Sequence, residues 1–111
     1  MAYRYDLKID QGATLALDIE CQDDAGKPMD LTGYTVQAQI RRRHDDPEPA
    51  AVFAAALDDP STGVVGLILD AHQSGGLTKS YGVWDCEVTA PDGSVQRLVE
   101  GKVNVSPQVT R

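Results

Sequence analysis

At 111 residues, 41 % hydrophobic and 24 % charged, the chain has enough apolar material for one core, and its composition is not that of a disordered segment. Its 17 acids against 10 bases, a formal net charge of -7, argue against wholesale binding to a phosphate backbone, whose footprint is a basic face, so nucleic acid is not expected as a main partner. No run approaches the ~18 apolar residues of a membrane span. "MAYRYDLKID" carries charges at Arg4, Asp6, Lys8 and Asp10 in place of the apolar stretch of a secretion signal. The expectation is a chain made in a cytoplasm and without a membrane partner.

A first strand is expected in "YRYDLKI". In "ATLALDIEC" the residues Ala13, Leu15, Leu17, Ile19 and Cys21 alternate with Thr14, Asp18 and Glu20, and only Ala16 is out of phase. Period two means a strand with one buried and one wet face. "QDDAGKP", residues 22 to 28, is a turn, because Asp bonds its own backbone and Gly accepts positive φ. Asp30, Thr32 and Gly33 form a second turn, with Leu31 as a plug for the core. "GYTVQAQI" then alternates throughout, setting Tyr34, Val36, Ala38 and Ile40 against Thr35, Gln37 and Gln39, until "RRRHDDPEPA" ends it with prolines and acids.

"AVFAAAL", residues 51 to 57, has the alanines of a helix but the length and loop-bounded setting of a strand, and is read as a strand. "GVVGLILD", residues 63 to 70, is a β-branched strand whose Asp70 caps one helical turn through "AHQSGGL", ended by Gly75 and Gly76. "YGVWDCEVTA" places Trp84, Cys86 and Val88 on one face and Asp85, Glu87 and Thr89 on the other. "PDG", residues 91 to 93, is a hairpin turn into "SVQRLVEGKVNV", where the phase slips near Gly101 in the manner of a β-bulge. Six or seven short strands, at most one helical turn, no repeat and no linker make residues 1 to 111 a single all-β domain. An antiparallel β-sandwich is expected, with a small barrel as the alternative.

Each catalytic constellation sought is missing from the sequence. There is no GxSxG elbow, no glycine-rich phosphate loop and no HExxH, so no enzyme is expected. Paired aspartates at 23 to 24, 45 to 46 and 58 to 59 sit in turn-like settings and read as solvated loops; calcium is the alternative, without EF-hand spacing to support it. Cys21 and Cys86, with only His44 and His72 to join them, do not make a zinc site, and no cofactor is expected. The two cysteines are compatible with a bridge across a sandwich or with two buried thiols, and a cytoplasmic setting favours thiols.

Three adjacent cations, Arg41, Arg42 and Arg43, close the most regular strand of an acidic chain. They balance "DDPE" just downstream, or they meet a protein partner through bidentate pairs with carboxylates, or they touch a few phosphates. Trp84 is read as core, with an exposed binding anchor as the alternative. Asp85 should face the other way and lie at the surface. Arg41, Arg42, Arg43, Asp45, Asp46 and Asp85 are therefore the candidate protein-interface residues.

"QG" at 11 to 12, "DLTGYTVQAQIR" at 30 to 41, "YGVWDCEV" at 81 to 88 and "DGSVQRLVEGKVNVSPQVTR" at 92 to 111 together resemble small virion proteins of tailed bacteriophages. They are also similar to the N-terminal domain of phage upper baseplate proteins. The resemblance spans almost the whole chain, and its motifs are structural rather than chemical. It implies an immunoglobulin-like sandwich without catalytic activity or small-molecule substrate, located in the virion. The partners it implies are other phage structural proteins and copies of the chain itself, in the tail, baseplate or fibre-attachment region, with a neck or head-completion position as the alternative. In that setting the arginine run and the "HDDPEPA" loop are expected to form a subunit contact. A carbohydrate-binding or adhesion sandwich is the alternative from another class, and it usually wants a row of exposed aromatics, which make up only 5 % here.

Overall fold

The computed structural model describes residues 3 to 110. All seven stretches with strand character form strands, and two of them break in two. The first gives β1 (Tyr3–Arg4) and β2 (Leu7–Asp10); then come β3 (Leu15–Glu20) and β4 (Thr35–Arg41). "AVFAAAL" gives β5 (Ala51–Val52) and β6 (Ala54–Ala56), followed by β7 (Val64–Leu69), β8 (Tyr81–Thr89) and β9 (Val95–Ser106). One helical turn, α1 (Ala71–Gly75), follows β7, and its N-cap Asp70 accepts a 2.7 Å hydrogen bond from the Gln73 N–H. Gly76 is its C-cap.

The strands pack as two sheets. The larger runs β1-β9-β8-β4-β5, with β2 also on β9, and the smaller runs β3-β7-β6. This is the strand order of an immunoglobulin-like sandwich with an extra short strand beside β4. All pairings are antiparallel except those of β1 and β2, which run parallel to β9. The parallel pairing departs from the all-antiparallel expectation. Leu7 to Asp10 run beside Val103 to Ser106 in the same direction, at the edge of the sheet that also holds the chain's last strand.

The split of "AVFAAAL" has a physical cause. Phe53 is buried and donates its N–H to the Ala38 carbonyl at 3.0 Å, so the chain leaves β4 at this residue and pairs with β7 from Ala54 onward. One stretch thereby serves both sheets and closes that side of the sandwich.

The core lies between the sheets. Val65, Leu67 and Leu69 of β7 face Trp84, Cys86 and Val88 of β8, with Leu7 and Ile9 of β2 beside them and Leu31 as a fully buried plug. Leu31 is held by its N–H on the Pro60 carbonyl (2.8 Å), and Gly33 turns the chain into β4 at φ +82°, a conformation a Cβ would strain. Leu15, Leu17 and Ile19 of β3 are only half-buried, since β3 is an edge strand of its sheet. The bulge expected near Gly101 lies instead at Leu98: Cys86 pairs with Val99 and Glu87 with Arg97, leaving Leu98 over. Leu98 and Val99 both turn inward as a result.

Candidate functional site

Three central strands of the larger sheet present their outer faces side by side. Antiparallel register places Arg41, Val83 and Lys102 in one row across β4, β8 and β9, and Gln39, Asp85 and Glu100 in the next. Successive side chains on a strand alternate faces, so these residues point away from the core while Ile40, Trp84 and Gly101 between them point in or lie flat. With Arg4 and His44 at its margins, this surface forms an open groove of about 430 Å³.

The acids of the groove are already partnered. Arg97 donates from Nη1 to Glu100 Oε2 at 2.9 Å and sets its Nε 3.5 Å from Asp85 Oδ2. The hydrogen bond to Glu100, and then the Asp85 charge, raise the pKa of Arg97 above its ordinary value. Arg41 is held differently: Nη2 donates to Gln39 Oε1 at 2.9 Å and Nη1 to the Asp46 carbonyl at 2.7 Å. Both acceptors are neutral, and Arg41 makes no ion pair among the described residues. Lys102 makes no ion pair among the described residues. The groove thus sets two cations without ion pairs among the described residues on either side of the half-buried Val83.

The six residues singled out in the sequence separate in space. Arg41 and Asp85 meet in the groove. Arg42 lines a smaller cavity of about 200 Å³ with Leu77, Tyr81 and Val105, its Nε 3.9 Å from Asp46 Oδ2. Arg43 and Asp45 are exposed, and the Arg43 N–H reaches Asp46 Oδ2 at 3.3 Å. Asp46 therefore folds the loop back onto all three arginines. Lys102, Arg97 and Glu100 were not singled out by the sequence, because the bulge at Leu98 shifts the phase of β9 and hides which of its charges share a face with β4 and β8.

Trp84 is a core residue. It is 3 % exposed, its ring lies 5.9 Å from that of Phe53 at 51°, and Nε1 donates to the Tyr5 carbonyl at 2.7 Å. Cys21 and Cys86 are buried free thiols. Burial pushes both upward; Cys86 reaches about 12, with the neighbouring Cys21 and the charges of Asp85 and Glu87 adding to the effect. Low thiolate content makes poor nucleophiles of both.

The hydroxyls of Ser61, Ser74 and Ser94 bond carboxylates or main-chain carbonyls, and among the described residues no serine hydroxyl bonds a histidine. Among the described residues no group of three or more His, Cys, Asp or Glu is placed to hold a metal ion, and no helix is long and apolar enough to cross a membrane. No protein-family model matches the chain, and no curated protein matches it.

Proposed function

We propose that the chain is a non-enzymatic structural component of a tailed bacteriophage particle, an adaptor in the tail, baseplate or fibre-attachment region assembled through subunit contacts. The observation that carries this reading is the division of labour between the two faces of the larger sheet. The residues that resemble phage virion proteins build the sandwich: Leu31 plugs the core, Gly33 starts β4, and Trp84 and Cys86 fill the interior. The outer face of the same strands carries a mixed-charge groove in which Arg41 and Lys102 make no ion pair among the described residues. Arginine is favoured at protein interfaces, and directional charge contacts give register to repeated subunits without a large apolar patch on the free domain.

Mass spectrometry and cryo-electron microscopy of purified particles test the assignment. A β-domain of this size in rings on the tail or baseplate is the expected result. Density at the portal moves the protein to the neck, and absence of the chain from purified particles overturns a virion role.

A further inference from the structure

Among the described residues, acids without ion pairs gather at one end of the sandwich. Hydrogen bonds from Cys21 N–H to the Gly63 carbonyl (2.8 Å) and from Leu31 N–H to the Pro60 carbonyl (2.8 Å) bring the 22–28 hairpin and the 58–62 turn to one end of the sandwich. That end displays Glu20, Asp24 and Asp58, all exposed and without an ion pair among the described residues. β4 starts beside it, since Tyr34 N–H bonds the Leu31 carbonyl, and finishes at Arg41, roughly 20 Å away at the strand rise of ~3.3 Å per residue. The arginine end has acids of its own in Asp45, Asp46 and Glu48, and the hairpin has a base in Lys27, so the contrast that matters is local: Asp24 at the hairpin tip, Arg41 and Lys102 in the groove.

We propose that the groove of the larger sheet receives the 22–28 hairpin of a second copy of this chain, in a head-to-tail contact. The groove offers two cations flanking an apolar side chain, Val83. The hairpin tip offers Asp24 followed by Ala25, both exposed. Asp24 is available because the hairpin's own turn is held by the other acid: Asp23 Oδ1 accepts the N–H groups of Ala25 (2.9 Å) and Lys27 (3.0 Å). A phosphate-rich ligand fits less well, because Asp85 and Glu100 stand in the same groove, whereas the hairpin brings one available carboxylate at Asp24 and an exposed base at Lys27. A contact between two different surfaces of the same chain is heterologous, so it generates a ring where the rotation closes and a filament where it does not. This inference rests on the structural role proposed above and names the contact that role needs.

The test is a charge swap read by sedimentation velocity of the full chain from micromolar to millimolar concentration. The wild type is expected to associate beyond a dimer. Lys102→Glu and Asp24→Lys are each expected to weaken association at least tenfold, with circular dichroism and melting unchanged. The double variant K102E/D24K restores one attractive pair with reversed sign while Arg41 still faces the introduced lysine as a like charge, so it should associate more tightly than either single variant but less tightly than wild type. A wild type that stays monomeric throughout, single variants that associate like wild type, or a double variant that associates no more tightly than the single ones each overturns the head-to-tail contact. Particles that still contain the chain then leave the virion role standing, whereas particles without it remove that role whatever the ultracentrifuge shows.

Discussion

The indole Nε1 of Trp84 donates to the main-chain carbonyl of Tyr5 across 79 residues of sequence, at 2.7 Å. The contact exists because Gly101 sits opposite Trp84 in the β8–β9 ladder, and a Cβ there would overlap the Tyr5 carbonyl. The same carbonyl lies at the break between β1 and β2, where Tyr5 N–H bonds Glu100 O at 2.9 Å and Asp6 Oδ1 accepts the Lys102 N–H at 2.8 Å. Trp84 thus pins the N-terminal strand to the sheet through the gap that glycine leaves. Trp84→Phe keeps most of the apolar volume but leaves the carbonyl without its donor, at an expected ~1–3 kcal/mol. Gly101→Ala should cost a similar ~1–3 kcal/mol through overpacking against backbone that cannot swing aside. Urea unfolding of both variants checks the pair, and a G101A protein as stable as wild type would disprove the close approach.

Core substitution separates the two sheets' inner faces from the edge strand. Leu67 is fully buried and Leu17, its partner across β3 and β7, is half-buried. Leu67→Ala is expected to cost ~2–5 kcal/mol, a large share of the ~5–15 kcal/mol typical of a domain. Leu17→Ala should cost distinctly less, because a half-exposed side chain leaves a dent rather than a cavity. Equal costs in urea melts would contradict the placement of β3 at the edge.

Alternation in the sequence was sufficient to orient β4 and β8, where Ile40, Trp84 and Cys86 turn inward and Arg41 and Asp85 outward, while β5 to β7 were legible only from length, setting and β-branching. It could not foresee that Phe53 would divide one short stretch between two sheets, because both halves are alanine-rich and nothing in their period marks the crossing. Nor could it assemble the groove. Lys102 and Arg41 become neighbours of Val83 only through pairing, and one extra residue at Leu98 reverses the apparent facing of everything before it on β9. The three adjacent arginines looked like one feature because they adjoin in sequence. On a strand that gives way to a loop, each takes a different direction.

The loop after β4 should depend on Asp46 more than on any other acid in it. Its carboxylate serves the Arg43 N–H and faces Arg42, and its carbonyl accepts from Arg41. Asp46→Ala is expected to lower stability by only ~0.2–1 kcal/mol, as for other surface ion pairs, while raising amide exchange across residues 42 to 47. Asp45→Ala, at an exposed position, should leave exchange unchanged. Hydrogen exchange followed by mass spectrometry distinguishes the two; identical exchange in both variants removes Asp46 from this role.

Stability should fall at both extremes of pH, for identifiable reasons. Asp30 Oδ1 accepts Thr32 Oγ1 (2.6 Å) and the Thr32 N–H (3.0 Å), and Asp92 does the same for Ser94 (2.6 and 2.9 Å). These side-chain bonds, and then the backbone ones, hold both carboxyls below their ordinary pKa. On acidification the unfolded chain takes up these protons first, so the stability they supply is present above pH ~4 and is lost as pH falls through the lowered native values. Cys86 acts in the opposite sense. Its native pKa is raised from 9.0 to about 12, so above pH ~9 the unfolded chain releases a proton that the native state retains. That contribution is complete below pH 9 and is lost as pH rises toward 12, with a limiting slope of ~1.4 kcal/mol per pH unit for one proton. Cys86→Ala, although destabilised by its cavity, should show a flatter loss between pH 9 and 11, and Asp92→Asn a flatter loss below pH 4. Urea midpoints measured from pH 2 to 11 give both limbs, and native Cys86 should react with a thiol reagent at pH 8 only as fast as the protein unfolds. Rapid labelling of folded protein at Cys86 would mean that the thiol is accessible and that the alkaline limb has another origin.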